Sequence, residues 1–286
     1  MTKARRSSTV VNDRPSVDVA LSVELTDVVR QYEAGGHTVR ALDGLCLTID
    51  GGQFTSIVGP SGAGKSTLLH LLGALDSPDS GSIRFDGVEI AAMTDDQQST
   101  FRRNKVGFIF QFFNLLPTLS AWENVAIPTL LGGQSLRQVK SKAIALLGLV
   151  GLGHRVDHRP AELSGGQMQR VAVARSLIMD PPLILADEPT GNLDTATGAT
   201  ILELLQSIAH DSDLHRAVVM VTHNVEAAAT TDRVVTLQDG VLTSDVLTSE
   251  PARVGRHAAG TQDVVATDIF PRLLDNSVRP GIANRL

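Results

Sequence analysis

A short apolar, β-branched run, Phe54-Thr55-Ser56-Ile57-Val58, passes directly into Gly59-Pro60-Ser61-Gly62-Ala63-Gly64-Lys65-Ser66, and then into the helical-period stretch STLLHLLGAL. These residues constrain the fold more than any others. They match G-x-x-x-x-G-K-[ST] in the setting that gives the pattern a mechanism, a buried strand feeding a tight loop that opens a helix. The residue types answer a chemical demand. Phosphate oxygens need many donors at close range, and glycines let backbone N–H groups approach and tolerate positive φ. The following helix points its first N–H groups at the anion. Lys65 supplies a point charge for β- and γ-phosphates, and the Ser66 hydroxyl suits Mg²⁺.

Two further stretches extend this chemistry. Leu183-Ile184-Leu185-Ala186-Asp187-Glu188 is an apolar strand ending in two carboxylates. Alone, Asp-Glu-Pro after a strand is an ordinary solvated turn. Beside a phosphate loop, Asp187 suits Mg²⁺ holding, and Glu188 suits taking a proton from an attacking water. Leu163-Ser164-Gly165-Gly166-Gln167 places Ser164 as an N-cap before two glycines. A plain capped helix start would read the same way, but the pattern also makes a second backbone nest for an anion. One nucleotide does not need two nests in one chain. A head-to-tail dimer, in which one subunit's nest closes on the other's nucleotide, resolves the surplus.

The rest of the chain frames these loops. SVELTDVVRQY and LDGLCLTID read as strands, GSIRFDGVEI as a hairpin arm and VGFIFQ as a strand. Two helical patterns over 120–158 are separated by Gly132-Gly133, and GGQMQRVAVARSLIMD reads as a helix with a wide apolar stripe through Met168, Val171, Ala172, Ala174, Leu177 and Ile178. ATGATILELLQSIAH is a further amphipathic helix, RAVVMVTH a strand, EAAA part of a short helix, and RVVTLQDGVLTS a hairpin turning on Asp239-Gly240. Alternating strands and helices with early hairpins predict an α/β fold. Residues 1–22 read as a disordered N-terminal arm. Residues from 246 to 286 read as a tail of unassigned role, with one short helix near Asp268–Leu274.

Composition excludes several classes. The net charge of −6 argues against broad nucleic-acid binding, and no nucleic-acid partner is expected. Cys46 is the sole cysteine, so no internal disulfide forms. No run approaches the roughly 18–20 apolar residues of a spanning helix, and the first residues lack the apolar segment of a secretory signal. The expectation is a soluble chain whose membrane role, if any, comes through a partner.

With these motifs in order, the sequence resembles the ABC-type ATPases over about residues 23–245. The resemblance implies a P-loop NTPase core with a mainly parallel sheet, a small antiparallel β subdomain and a helical signature subdomain over about 115–180. It implies ATP and Mg²⁺ as cofactors. It assigns GPSGAGKST, residues 59–67 and so including Thr67, as Walker A, LSGGQ as the signature, and Asp187 as the Walker B aspartate that binds metal with Ser66. It makes Glu188 the catalytic base and Gly191-Asn192-Leu193-Asp194 the D-loop. Gln111 matches the Q-loop glutamine that senses Mg²⁺ and faces the permease, and His223 the switch histidine near the γ-phosphate. The sole tyrosine, Tyr32, matches the aromatic that stacks on adenine; its plain reading is a half-buried strand aromatic.

FIFQFFNLLPTLSAWENVAIP and SGGQMQRVAVARSLIMDPPLILADEPTGNLD resemble more finely the group of macrolide exporters, lipoprotein-releasing ATPases and the cell-division ATPase FtsE. That implies a membrane permease partner of MacB or FtsX type, a groove after Gln111 that receives its coupling helix, a second copy of the chain, and a place on the cytoplasmic face of the membrane. Export or extraction is the expected work, with FtsE-like transmembrane signalling as the alternative. ABC ATPases of DNA repair separate Walker A from the signature by a long coiled coil, whereas here Gly59 and Leu163 lie about a hundred residues apart without sustained heptads. Translation-type ABC proteins carry two cassettes, and a phosphate-loop kinase needs neither LSGGQ nor His223.

Overall fold

The computed structural model describes residues 21–34 and 36–248. The expected arm up to residue 20, and the expected tail and short helix beyond residue 248, lie outside the described residues. Strand β1 (Ser22–Ala34) pairs antiparallel with β2 (His37–Asp50) and with β4 (Ser80–Phe85), and β4 pairs with β5 (Val88–Glu89). This sheet has the order β2-β1-β4-β5. In β2 the alternation of Leu45, Leu47 and Ile49 with exposed neighbours turns one face inward.

The second sheet is built from β3 (Phe54–Val58), β6 (Val106–Ile109), β7 (Leu183–Asp187), β8 (Ala217–Val221), β9 (Arg233–Gln238) and β10 (Val241–Leu247), in the order β10-β9-β3-β8-β7-β6. All its pairings are parallel except β9 with β10. That hairpin turns on Asp239 and Gly240, both at positive φ, as the sequence predicts. Strand β8 and the first four residues of β7 read as continuous apolar runs because both faces are covered. In β7, Leu183 and Leu185 pack with the antiparallel sheet and α1 (Lys65–Leu72), while Ile184 and Ala186 pack on the helical side. In β8, Ala217, Val219 and Val221 face the first layer and Val218 and Met220 the second.

The helical layer comprises α3 (Ala121–Leu131), α4 (Leu136–Leu149), α5 (Gly165–Leu177) and α6 (Thr195–Ala209). Gly132-Gly133 separates α3 from α4 as expected, and each of these two helices opens with a capping box. Asn124, fully buried on α3, donates to the carbonyls of Leu116, Leu119 and Ser120 and accepts from Leu116 N–H. It thereby ties down the loop entering the helical layer. The stripe expected on α5 is wider still: Gln169, Val171, Ala172, Val173, Ala174, Ser176 and Leu177 are all buried. A helix apolar nearly all round belongs in an interior.

One helix was not anticipated, α2 (Asp95–Lys105). Only Phe101 on it is buried, so it carries almost no apolar period. Its signal is electrostatic and local. Thr94 and Gln97 form a capping box, Asp95 and Asp96 occupy the first turn, and Arg102, Arg103 and Lys105 the last. The short α7 (Val225–Ala228) follows β8, as expected. Three expected boundaries shift: Leu21 is buried in the core and Ser22 opens β1, both within the span expected as the arm, β10 runs to Leu247, and β6 ends at Ile109, so Gln111 lies in the turn beyond its strand.

Candidate active site

The parallel strands bring their carboxyl ends to one edge, the usual place for a ligand in such a sheet. The phosphate loop leaves β3 there, Asp187 and Glu188 leave β7, Thr222 and His223 leave β8, and Gln111 follows β6. In the loop, Gly64 has φ 98 as the N-cap of α1, and a Cβ there would lie 2.1 Å from the Ala41 carbonyl oxygen. Only glycine meets both conditions. Ala63 is buried while Ser61, Gly62 and Ser66 are exposed, so the first turn of α1 presents its free amides to solvent. Lys65 Nζ donates to the carbonyls of Gly59 and Pro60, at 2.8 and 2.9 Å, and so arches over the loop.

Asp187 ends β7 opposite Val221. Burial raises its carboxyl pKa, the neighbouring charge of Glu188 adds to the rise, and His70 and Lys65 oppose it. Its carboxylate has no hydrogen-bond or ion-pair partner among the described residues. A half-buried carboxylate without a hydrogen-bond partner, on the same sheet edge as the phosphate loop that carries the exposed Ser66, favours a cation. Among the described residues there is no cluster of three or more His, Cys, Asp or Glu side chains able to cage a metal. An ion held here by few protein ligands would complete its shell from phosphate oxygens and water, which is the habit of Mg²⁺. The residues therefore fit ATP with Mg²⁺.

Glu188 is fully engaged. Its Oε1 accepts from the backbone amide and from ring Nδ1 of His223, at 2.9 and 2.7 Å, and its Oε2 from the Thr222 hydroxyl at 3.1 Å. Thr222 is completely buried, whereas the His223 side chain is 71% exposed. Glu188 has φ 46, held by its N–H to the Val221 carbonyl and by Gly191 N–H to its own carbonyl. The structure thus joins the two residues that the sequence marked as base and switch, and adds Thr222.

Ser164 caps α5, its hydroxyl accepting from Gln167 N–H while Gln167 Oε1 accepts from Ser164 N–H. The amides of Gly165 and Gly166 are left without intrahelical acceptors. This turn sits against Asn192 and Leu193 and the start of α6 in its own chain. A Cβ at Gly165 would be 3.5 Å from Leu193, and one at Gly166 only 2.2 Å from Thr197 Cγ2. Asp194 caps α6 by accepting from Thr197 N–H, and hydrogen bonding first from the Thr197 side chain and then from that amide holds its carboxyl below the usual range.

Gln111 lies against the same loop: the Asn192 amide donates to its carbonyl at 2.8 Å, and its Nε2 is 3.0 Å from where a Gly191 Cβ would stand. Arg175, unnoticed in the sequence, donates from α5 to the carbonyls of Phe113 and Asn114, which sit consecutively at φ 61 and 50. Beside it runs a groove of about 560 Å³ whose walls include Phe108, Phe110, Ile127, Met179, Arg102 and Arg103. Phe108 and Phe110 stack with centroids 5.6 Å apart, and Phe112 is 73% exposed. Tyr32, 38% exposed, pairs across the sheet with Val39, two residues before the Ala41 carbonyl that abuts Gly64. Its hydroxyl donates to Asp76, and the Arg30 guanidinium lies 4.9 Å from its ring centroid.

Comparison with known proteins bears on this arrangement. The family described as ABC transporter matches residues 42–191. The chain is 47% identical over 226 residues to the macrolide export ATP-binding/permease protein MacB of Chlorobaculum tepidum, a match covering 78% of this chain and 34% of that protein. It therefore spans about a third of that relative's length. It is 44% identical over 223 residues to the lipoprotein-releasing system ATP-binding protein LolD of Geobacter metallireducens, covering 78% of this chain and 98% of the relative. Among solved structures, the dimeric post-hydrolysis state of the ATP-binding cassette MJ0796 bound to ADP and Pi matches with a TM-score of 0.73 and 40% identity, covering 80% of this chain and 99% of that one.

Proposed function

We propose that this chain, which belongs to the ABC transporter family, is the ATP-hydrolysing subunit of a transporter, working with a second copy of itself beneath a membrane permease. The observation that carries the reading is the pair of anion nests in one fold. The loop after β3 stands with Asp187, Glu188 and His223 at the carboxyl edge of the sheet, whereas the nest at Ser164 is backed by its own D-loop and offers its free amides outward. A head-to-tail pair uses both, with each Ser164 nest closing on the nucleotide held by the other copy. The dimeric cassette with ADP and Pi supports that arrangement.

The residues divide the work. The phosphate-loop amides and Lys65 bind the β- and γ-phosphates, Lys65 exchanging the Gly59 and Pro60 carbonyls for phosphate oxygens. Tyr32 and Val39 offer the adenine a surface beside the loop. Glu188 takes the proton of the attacking water, and His223 turns its ring between Glu188 and the γ-phosphate. Asp187, Ser66 and Gln111 would hold a magnesium ion, which when bound would offset charge on the phosphates.

The relatives named for macrolide export and lipoprotein release favour export or extraction over FtsE-like signalling. No described helix is long and apolar enough to cross a membrane. The groove beside Gln111, with Phe112 and Leu131 each 73% exposed nearby, suits the coupling helix of a permease of MacB or FtsX type on the cytoplasmic face. The three expected parts, a cassette over 23–245 containing a helical region over 115–180 with flanking arm and tail, remain our division of the chain.

The test is the full chain carrying Glu188→Gln, with Mg-ATP, followed by sedimentation and ADP release. Dimerisation should persist while turnover falls by about 10²-fold or more. Adding Ser164→Arg should leave it monomeric. Turnover at the wild-type rate, or dimers of the double variant, would sink the proposal.

A further inference from the structure

We infer that Gln169 is a positioning residue that couples the outward-facing nest of each subunit to the catalytic base of that same subunit. The inference rests on the head-to-tail reading above.

Gln169 lies in the second turn of α5 and is completely buried. Its Nε2 donates to the Pro189 carbonyl at 2.7 Å across a buried path. Its Oε1 is equally buried and has no partner among the described residues. Its helical neighbours Val171 to Ala174 are apolar and fully buried. An apolar side chain of the same volume would satisfy that packing without leaving an acceptor unmet. Packing therefore does not explain the amide, whereas the Pro189 carbonyl does.

Pro189 is the residue that carries the strain of Glu188 onward. Glu188 sits at φ 46, in a region that non-glycine residues occupy only when their surroundings hold them there. The proline ring fixes φ at the next position. An anchor on the Pro189 carbonyl thus governs the remaining freedom of the peptide between the base and Gly191, whose N–H returns to the Glu188 carbonyl. From Gly191 the chain runs through Asn192, bonded to Gln111, to Asp194 at the start of α6.

The other end of the same rod is the nest. Ser164 precedes Gln169 by five residues, about 7.5 Å along a helix. Gly166 packs directly on Thr197. A helix that shifts when its nest meets the other copy's nucleotide must carry Gln169, and with it Pro189. Each base then aligns fully only when the opposite nucleotide is engaged, which makes hydrolysis cooperative in ATP. The warrant is one contiguous set of contacts.

The experiment compares the full wild-type chain with Gln169→Met, which conserves volume and removes the donor. Steady-state ATPase rates, melting temperature and, in a Glu188→Gln background, ATP-dependent sedimentation are read together. For Gln169→Met, kcat should fall about tenfold or more while KM stays within about twofold. The Hill coefficient for ATP should drop from about 2 towards about 1. The melting temperature should stay within about 4 °C, and Gln169→Met with Glu188→Gln should dimerise at the same ATP concentration as Glu188→Gln alone. Unchanged kcat and cooperativity in an active chain overturn the inference and leave the parent reading intact. A loss of rate matched by losses of melting temperature and dimerisation also overturns it, because that is a merely structural role. A wild-type chain that neither binds nor hydrolyses ATP overturns the parent reading and this one with it.

Discussion

Glu188 and His223 are joined twice, through the backbone amide and through ring Nδ1 of the histidine, both on the same carboxylate oxygen, while Thr222 holds the other. The Glu188 carboxylate is therefore oriented by the two residues that follow β8, the strand paired with its own, and only one of its three contacts depends on the imidazole.

That division sets the outcome of His223→Ala. The backbone amide and the Thr222 hydroxyl stay in place, so Glu188 keeps two of its three contacts. What is lost is the ring that, in the proposed function, turns towards the γ-phosphate. We expect kcat to fall about 10²-fold, less than for Glu188→Gln, with ATP-dependent dimerisation retained. Steady-state ATPase assays with sedimentation check this. A histidine variant as dead as the glutamate variant would mean that the ring itself takes the proton.

The contact of the turn at Gly166 with α6 makes a prediction that can be cancelled. In Gly166→Ala the new Cβ would stand 2.2 Å from Thr197 Cγ2, with the other Thr197 atoms at 3.6 Å or beyond. Overpacking of this kind costs about 1–3 kcal/mol. Thr197→Ser deletes only the offending methyl group, and Gly166→Ala combined with Thr197→Ser should recover most of the lost stability and of the ATP-dependent dimer. Thermal melts and sedimentation of the four proteins measure the coupling. Additive effects of the two substitutions would show that the turn does not rest on Thr197.

The edge hairpin sets an acid limit. Arg233 hydrogen-bonds Asp245 through both Nε and Nη2, and this bond first, the guanidinium charge second, holds the Asp245 carboxyl below its usual range. A carboxyl with a depressed folded pKa contributes stability that is present above its unfolded pKa and is lost as pH falls through the folded value. Asp245→Asn should therefore melt below the wild type at neutral pH, and the two curves should converge on acidification from about pH 5 to pH 3. Parallel curves over that interval would refute the role of the pair.

The loops that carry the chemistry were legible because each is a contiguous backbone device. The phosphate loop, the capped nest at Ser164 and the two carboxylates ending β7 state their requirements within a few residues. The doubly buried strands were equally plain, since β7 and β8 leave no polar position among Leu183–Ala186 and Ala217–Val221. Helix α2 escaped because its stabilisation lies in caps and charges, with Phe101 alone buried. Arg175 and Gln169 escaped for a different reason. Their partners lie at Phe113 and Asn114 in one case and at Pro189 in the other, far along the chain. The available signal was a glutamine at helical spacing from Ala172, Val173 and Ser176, a polar residue on a face that the period makes internal.

By itself the sequence determined which backbone segments can receive phosphate, which side chains end the strands beside them, and that apolar runs of strand length must be covered on both faces. These follow from short-range sterics and from periodicity, which a chain expresses locally. Only the tertiary structure decided that α5 reaches the segment after β7 through Gln169, that Arg175 holds the turn after Gln111, and that the Tyr32 hydroxyl is taken by Asp76. Those pairings depend on the rotation and height at which α5 packs against β6 and α6 and on the register of β1 with β4. Register and packing are settled by the summed burial of two cores, which no local pattern contains.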